Sequence, residues 1–323
     1  MALSYEYSIG SICVKEKSLL NKAELEQLLS CHSLDSLCAM LIDKGFGNGK
    51  SIGEILADAE ARMWEYIRRI APDFKIFTPF ILENDAHNFK VTLKGIMADR
   101  NFDRMLITPY TIDVKEIKHS VEKKDFSNLP QWLNKSAETA YDILAHTSDA
   151  RSSDAVIDKS LMGEIVLAGE SSKSEFLKKY FNMYVFYCNI KIAVRGAKAA
   201  ADRNYLLNAL CDVENFRKNA VIDAALKGIS PLLDELSSYS EYGCDKAIKQ
   251  YKLSPSAFEK YTDNLLIGIA KDYCKRTCNG ADPLLGYYLG KKAEIRSIQI
   301  IASGIRTNTD TDITRERLRE TYG

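Results

Sequence analysis

The segment 45–51 of this 323-residue chain reads Gly-Phe-Gly-Asn-Gly-Lys-Ser, and its last three residues are those that close a phosphate-binding P-loop. A P-loop has the spacing Gly-x4-Gly-Lys-Ser and follows a buried strand. Here the first glycine of that pattern would fall on Lys44, and residues 34–42 have the pattern of a helix with polar flanks. We therefore interpret the segment as a turn between two helices, in which Ser51 caps the second helix.

Two cysteines, Cys274 and Cys278, lie four residues apart and would share one face of a helix. A structural zinc site needs four ligands, usually with a second Cys or His pair nearby. The nearest other candidate is Cys244, and no histidine follows His146 in the sequence. We therefore expect ordinary semi-buried thiols and no metal at this pair.

A cysteine nucleophile requires a histidine that faces it. Cys31 and His32 are adjacent in sequence, so their side chains would diverge on a helix. None of the other histidines, at His87, His119 and His146, lies in a motif that promises such a geometry. We expect the histidines to be surface or capping residues.

Acidic pairs such as Glu24/Glu26 and Glu316/Glu320 lie in helical segments of mixed charge, which is typical of solvated helix faces. The densest charge run, residues 315–320 with the sequence Arg-Glu-Arg-Leu-Arg-Glu, is interpreted as a soluble terminal helix. No segment combines a nucleophile, a base and an oxyanion site. The sequence therefore predicts no catalytic site and no cofactor.

The elements that would position any site are predicted to be helices, because seven prolines leave long uninterrupted segments. The clearest helix spans about 171–200, where large apolar residues recur at steps of three and four. Further helices are expected over 51–70, from Ser256 onward, over 283–304 and over 310–319.

One pattern of eight residues recurs three times along the chain. Residues 88–95 (Asn-Phe-Lys-Val-Thr-Leu-Lys-Gly) match residues 189–196 (Asn-Ile-Lys-Ile-Ala-Val-Arg-Gly) in type at nearly every position, and residues 297–304 (Ser-Ile-Gln-Ile-Ile-Ala-Ser-Gly) are a weaker third copy. The first two copies also alternate in the manner of a strand. We favour helices because the second copy continues the helical stripe of 171–200, whereas residues 110–117 stay ambiguous.

Three copies at similar spacing predict three similar units with seams near residues 109 and 211. The predicted units are 1–108, 109–210 and 211–323. Each copy ends on a glycine, and we expect Gly95, Gly196 and Gly304 to occupy corresponding places at helix ends or close helix contacts. Glycine tolerates a positive φ or a close backbone approach at little cost. Coincidence among apolar helical segments is the alternative explanation.

The composition argues against several classes of partner. The formal net charge is +0, from 44 basic and 44 acidic residues, and the chain has neither a basic stripe for nucleic acid nor a polybasic patch for anionic lipid. No segment approaches the ~18 apolar residues of a membrane-spanning helix, and residues 1–6 lack the features of a signal peptide. The eight cysteines lie mostly in apolar or helical segments, which is typical of reduced thiols. We predict a soluble, cytoplasmic protein that binds no nucleic acid.

The C-terminal part carries a resemblance to a known family. Residues 283–304 (Pro-Leu-Leu-Gly-Tyr-Tyr-Leu-Gly-Lys-Lys-Ala-Glu-Ile-Arg-Ser-Ile-Gln-Ile-Ile-Ala-Ser-Gly) and 313–319 (Ile-Thr-Arg-Glu-Arg-Leu-Arg) resemble the terminal signature of the C subunits of the archaeal and vacuolar-type (V-type) rotary ATPases, called d subunits in eukaryotes. The repeated octets and residues 5–29 are also similar to that family's repeated segments and N-terminal helix. The chain departs from the family at Ser297 and Gln299, where Asn and Arg are frequent, and at Ser11 and Cys13, where arginines are frequent.

The resemblance implies an all-α fold of three similar helical domains around a pseudo-threefold axis, funnel-shaped with a central cavity. It implies a non-catalytic rotor subunit that sits on the membrane rotor ring (c/K type) and receives the central shaft (D and F type) in its cavity. Such a subunit transmits torque between ATP-driven rotation and proton or sodium transport. It would lie at the membrane through the complex and without a lipid anchor of its own.

Corresponding residues of three units around an axis face the same way relative to that axis. The charged residues just ahead of the closing glycines are therefore predicted to line or support the axial cavity, with an outward or ring-facing orientation as the rival. They are Lys90, Lys94, Lys191 and Arg195, with Glu294 and Arg296 in the last unit. A free-standing helical adaptor, or an enzyme with a pocket between helices, are the alternative functions.

Overall fold

The computed structural model describes residues 4–276 and 279–323, and this part of the chain is built from helices without a strand. Its α-helices are α1 (Tyr5–Glu16), α2 (Lys22–Leu29), α3 (Leu34–Asp43), α4 (Ile52–Ile70), α5 (Thr78–Met97), α6 (Val114–Lys123), α7 (Gln131–Thr147), α8 (Ala150–Ser171), α9 (Glu175–Lys198), α10 (Arg203–Ala209), α11 (Lys218–Leu226), α12 (Ile229–Ser237), α13 (Cys244–Leu253), α14 (Pro255–Cys274), α15 (Asp282–Arg306) and α16 (Thr311–Arg317). Short 3₁₀ turns occupy Phe74–Phe77, Asp103–Met105 and Glu241–Gly243. The predicted all-α class is confirmed.

Local sequence signals explain where several helices begin. Asn21 and Ser33 each form a capping box, in which the side chain accepts from the backbone N–H three residues later. In return, the backbone N–H of the cap residue donates to the side chain of that later residue. Pro255 and Pro283 lie in the first turns of α14 and α15, where the missing N–H is not needed. Ser51 caps α4 by accepting from the Glu54 N–H at 3.3 Å, as the sequence predicts.

The helical interpretation of the two strongest octets is also confirmed, since 88–95 lies within α5 and 189–196 within α9. Residues 110–113 precede a helix and 114–117 open α6, which accounts for the ambiguous pattern of that segment. The predicted last helix ends at Arg317 rather than Arg319. None of the helices in the described residues has the length and hydrophobicity that a membrane crossing requires.

The chain divides into two compact units. Unit 1 comprises the described residues of Met1–Ile76 and Lys249–Gly323, and unit 2 comprises Phe77–Ile248. The predicted repeat units meet near residues 109 and 211 instead. Compactness and internal repetition are different properties of a chain, so the three repeat units stay a prediction.

The core of unit 1 is formed by α2, α3, α4 and α15. Its apolar side chains recur at helical spacing and are almost fully buried, among them Leu28, Leu37, Ile55 and Ile298. Each buried Leu or Ile side chain stabilises the fold by about 1.5–3 kcal/mol. Trp64 of α4 packs obliquely on Tyr288 of α15 with 4.9 Å between ring centroids, and this contact joins the N-terminal half of α15 to α4.

Unit 2 is organised around α9, which is apolar on nearly all of its faces, as expected for a helix surrounded by protein. Phe176, Phe186 and Tyr187 of α9 are at most 1% exposed. Phe186 meets the edge of Phe216 at 5.6 Å between centroids, and the Tyr187 hydroxyl donates to the Tyr242 carbonyl at 2.7 Å. Helices α8, α10, α11 and α12 pack around this centre.

Candidate functional site

The three long helices that carry the repeated octets end in the same way. Each helix ends two residues after the glycine that closes the octet: α5 at Met97, α9 at Lys198 and α15 at Arg306. The residue four positions after the glycine has a left-handed backbone, with φ of 48° at Asp99, 48° at Ala200 and 50° at Asn308.

Backbone hydrogen bonds complete the same motif at each of these ends. The amide five residues after the glycine donates to the glycine carbonyl, at 2.9 Å in every case, from Arg100 to Gly95, from Ala201 to Gly196 and from Thr309 to Gly304. This 6→1 bond, with a left-handed residue inside it, is the Schellman motif that satisfies the last carbonyls of a helix. The three octets are thus similar in sequence, and each is followed by the same Schellman motif at the end of its helix.

A side chain from the returning segment packs directly on each glycine. An added Cβ would lie 2.2 Å from the Phe102 ring at Gly95, 2.7 Å from Leu206 at Gly196 and 2.5 Å from the Thr314 hydroxyl at Gly304. Real Cβ atoms do not approach other atoms so closely, so a side chain at any of these positions would force its neighbour to move, and the glycines serve a close approach rather than a positive φ.

We expect Gly95→Ala to destabilise the protein by about 1–3 kcal/mol, because the new methyl overlaps the Phe102 ring, which is less able to move than the tip of an aliphatic side chain. The measurement is the free energy of unfolding in urea. Gly268 is the matched control, since it lies inside α14 with no atom within 4 Å of an added Cβ. Gly268→Ala should stabilise by about 0.5–1 kcal/mol through helix propensity. Equal effects of the two substitutions would contradict the close packing at Gly95.

The first residue of each of the two closely matching octets is a buried asparagine, and its side chain forms two hydrogen bonds with the backbone of a residue further along the chain. Asn88 accepts from the Ile107 N–H at 2.9 Å and donates to the Ile107 carbonyl at 3.0 Å. Asn189 accepts from the Cys211 N–H at 3.0 Å and donates to the Cys211 carbonyl at 2.8 Å. These two pairs of hydrogen bonds lie beside the predicted seams near residues 109 and 211. Ser297, buried at the same position of the third octet, carries a hydroxyl in place of the amide.

Three more polar side chains of α5 fasten the same segment at the first seam. Asn84 donates to the Pro109 carbonyl at 2.7 Å, and His87 contacts the Met105 carbonyl at 2.8 Å. Asp85 is fully buried and accepts from the N–H and hydroxyl of Thr111 at 2.8 and 2.5 Å. Burial raises the pKa of the Asp85 carboxyl, and these hydrogen bonds partly oppose the rise.

Glu294, three residues before the third octet's first residue, has the same relation to its helix as Asp85. It is 6% exposed and accepts from the backbone N–H of Leu20, which lies between α1 and α2. The Lys291 ammonium is 2.8 Å from its second oxygen and 3.8 Å from the centre of the Phe46 ring. Burial raises the pKa of the Glu294 carboxyl, whereas Lys291 lowers it. Through Leu20, Phe46, Lys291 and Glu294, these contacts connect α15 to the segment between α1 and α2 and to the loop between α3 and α4.

The remaining predicted site residues differ in their exposure and in whether their charge is paired. Lys90 and Lys94 of α5 form ion pairs with α8, at 2.5 Å to Asp158 and 2.9 Å to Asp154. Lys191 is half-buried. Arg195 and Arg296 are exposed and have no ion pair with any described residue. Of the predicted site residues, all of which the structure describes, these two arginines are the ones that present unpaired charge to solvent.

The loop 45–51 has a structural role. The backbone N–H groups of Asn48 and Lys50 donate to the carboxylates of Asp58 and Glu54, both at 2.7 Å. A Cβ at Gly47 would lie 2.3 Å from the Ile55 carbonyl oxygen. Because two of the donors that a P-loop offers to phosphate already hold carboxylates, this loop binds its own helix α4.

Within residues 4–276 and 279–323, no group of three or more His, Cys, Asp or Glu side chains is arranged to hold a metal ion. Cys278 lies outside the described residues, so its pairing with Cys274 is not described. Cys274 itself is buried, and burial raises the pKa of its thiol.

The sequence analysis did not identify the polar side chains of α5 that form hydrogen bonds with the backbone near the first seam. Asn84, Asp85, His87 and Asn88 form a polar run inside an otherwise apolar stretch of α5, and this run is a signal that could have identified them. Buried polar groups need hydrogen-bond partners, so a polar run at buried helix positions predicts that another segment is bound there.

Comparisons with known proteins cover nearly the whole chain. The family model described as ATP synthase (C/AC39) subunit matches residues 9–317. The chain is 19% identical over 316 residues to the C subunit of the V-type sodium ATPase of Enterococcus hirae, covering 95% of this chain and 96% of the relative. It is 22% identical over 336 residues to the C subunit of the A-type ATP synthase of Methanocaldococcus jannaschii, covering 93% and 82%. The C subunit of a V-type ATP synthase of Thermus thermophilus is 21% identical over 252 residues, covering 73% and 76%.

Proposed function

Since the chain belongs to the ATP synthase (C/AC39) subunit family, whose model matches residues 9–317, we propose that it is the non-catalytic rotor subunit that joins the central shaft to the membrane ring. In this role it transmits torque between ATP turnover and proton or sodium transport. Its partners would be the shaft subunits of D and F type and the ring subunits of c/K type. It would lie at the membrane through these proteins.

The single observation that best supports a torque-bearing body is that polar side chains form hydrogen bonds with the backbone of segments that are distant in the sequence. Asn88 and Asn189 each fix a segment with two hydrogen bonds, and Glu294 fixes the segment at Leu20. Directional bonds to buried backbone resist sliding in a way that apolar contact alone does not. A coupling element has to resist such deformation under load.

The three equivalent helix ends support a threefold repeat. The Schellman motifs after Gly95, Gly196 and Gly304 share the same hydrogen bond and the same left-handed position. We infer units 1–108, 109–210 and 211–323, arranged around a pseudo-threefold axis as a funnel with a central cavity. In that arrangement, the three long helices α5, α9 and α15 would be equivalent structural members.

The two unpaired arginines are the best candidates for contacts with a partner. Arg195 and Arg296 are exposed on α9 and α15, whereas Lys90 and Lys94 are neutralised by α8 and support their helix instead. Exposed cations contribute to recognition by steering and by pairing with acidic groups of the partner. We propose that Arg195 contributes to the shaft-binding surface.

Co-purification tests the proposal directly. A tagged chain expressed with its cognate rotary ATPase should retain both shaft and ring subunits after purification. If only the shaft is retained, or only the ring, the coupling role fails. If neither is retained, the chain acts as a free-standing helical protein.

We expect Arg195→Glu to weaken binding to the isolated shaft about tenfold at low salt and less at high salt, because salt screens exposed charges. Binding measured by calorimetry at two salt concentrations provides the test. Lys227→Glu is the control, since Lys227 is exposed at the end of α11, outside the predicted site, and the substitution changes the net charge equally. Thermal melts should show both variants folded. Equal affinities of the two variants would remove Arg195 from the interface.

A further inference from the structure

A pocket of about 480 Å³ opens in unit 1 between α2, α14 and the segment that follows α16. Its size falls within the range of small-molecule sites. Leu25 and Leu318 are buried at its apolar part, and Asn264 holds one wall in place by accepting from the Glu320 N–H at 2.9 Å. The pocket includes the C-terminal charge run, to which the proposed rotor function gives no role.

Cations outnumber acids among the side chains that line this pocket. Five are basic, namely Lys22, Lys260, Lys271, Arg315 and Arg319, and two are acidic, namely Glu26 and Glu320. Like charges gathered around one concave site raise its potential and attract anions. The lining side chains of the pocket therefore carry an excess of positive charge, although the whole chain has a net charge of +0.

The two arginines are already neutralised by carboxylates. Arg319 has only 5% of its side chain exposed and lies 2.9 Å from Asp263. Arg315 lies 2.9 Å from Glu26. Both guanidinium groups are thus held in fixed positions, and their carboxylate partners reduce what they offer to a ligand.

The three lysines carry the charge that is not neutralised. Lys260 donates to the main-chain carbonyl of Glu316 at 2.8 Å, which leaves its positive charge without a carboxylate. Lys22 and Lys271 have no acidic group within ion-pair distance among residues 4–276 and 279–323. The pocket thus gathers three lysine side chains whose charge no carboxylate in the described part of the chain neutralises.

We infer that this pocket binds a phosphate-bearing anion through Lys22, Lys260 and Lys271. A lone carboxylate is best matched by a free arginine fork, and both arginines here are occupied. Several ammonium groups instead suit a ligand of multiple negative charge, such as a polyphosphate or a phosphate monoester. The same chemistry is found in a free phosphorylated molecule and in an anionic lipid headgroup, and the experiment separates these two sources.

Calorimetric titration of the full chain with tripolyphosphate is the first arm. We expect binding that the Lys22→Gln, Lys271→Gln double variant weakens by at least about tenfold, since each lost contact to a charged ligand is worth that much or more. The Lys227→Gln, Lys252→Gln double variant is the matched control, because both lysines are exposed and neither lines the pocket, and it should leave the affinity unchanged. Glu320→Gln should tighten binding by removing an acid from the rim. Thermal melts establish that each variant is folded.

The second arm uses sedimentation with phosphatidylcholine vesicles, with and without phosphatidic acid. Tripolyphosphate binding that depends on the two lysines supports a free anion as the ligand. Binding to phosphatidic acid vesicles that depends on the same lysines, without tripolyphosphate binding, supports a headgroup. Absence of both, or binding that Lys22→Gln, Lys271→Gln leaves intact, overturns the assignment.

Discussion

Replacing Asn189 with alanine is expected to lower the free energy of unfolding by about 2–5 kcal/mol. The substitution removes both hydrogen bonds to Cys211, which is 5% exposed, and leaves its buried N–H and carbonyl without partners. Each buried backbone group left unsatisfied costs about 1–3 kcal/mol, in contrast to the smaller net value of an intact bond. Urea unfolding of the variant and the wild type provides the measurement.

Asn88→Ala is the internal comparison, because it removes the same pair of bonds at a more open place. Ile107 is 39% exposed, so water can reach its freed backbone groups. We expect a loss of about 1–2 kcal/mol there. Asn189→Asp keeps the acceptor for Cys211 but removes the donor and buries a charge, so it should also destabilise. A larger loss at Asn88 than at Asn189 would contradict this account of burial.

The sequence was most informative where structure depends on neighbours along the chain. The helix predicted over 51–70 is α4 at Ile52–Ile70, and the one predicted over 283–304 is α15 at Asp282–Arg306. Caps, prolines and apolar stripes act within a few residues, so they can be recognised without the rest of the fold. The Schellman ends were not predicted, because the left-handed residue is Asp99, Ala200 or Asn308 and not the glycine that closes the octet.

One boundary error shows the limit of periodicity. The helix expected over 171–200 begins at Glu175, because Ser171 ends α8 and Ser174 caps α9 by accepting from the Leu177 N–H at 3.2 Å. Serine is tolerated within a helix and favoured at its cap, so the residue type alone did not distinguish the two positions. The packing of α8 against α9 decides where the chain turns.

The candidate site was less accessible to sequence reasoning because its contacts are long-range. Glu294 binds Leu20 across 274 residues, and Lys90 pairs with Asp158 across 68. The sequence around a charged residue is the same whether that residue contacts a partner protein or forms an ion pair with an acidic residue of its own chain. In the structure Lys90, Lys94 and Glu294 have partners within the chain, and their predicted place at the axial cavity stays a prediction.

A rotary ATPase assembled without this chain is expected to keep hydrolysing ATP and to lose most ATP-driven cation transport. Hydrolysis needs only the catalytic head, and the P-loop-like segment 45–51 of this chain is closed by Asp58 and Glu54. Transport requires that rotation reach the ring, and we propose this chain as the rigid link. The measurement is ATP hydrolysis and ATP-driven cation uptake in the same membrane vesicles.

ATP hydrolysis and cation uptake, measured together, distinguish a chain that couples rotation to transport from a chain that only helps the complex to assemble. Adding the purified wild-type chain back should restore cation uptake with little change in hydrolysis, whereas an assembly factor would raise both in parallel with the amount of complex. Gly268→Ala provides a stabilised variant that should restore uptake as fully as the wild type, because it leaves every proposed contact intact. Asn189→Ala should restore it less well under load, since its seam is loosened. Full cation uptake by a complex shown to lack this chain would refute the coupling role, whatever the stability of the variants.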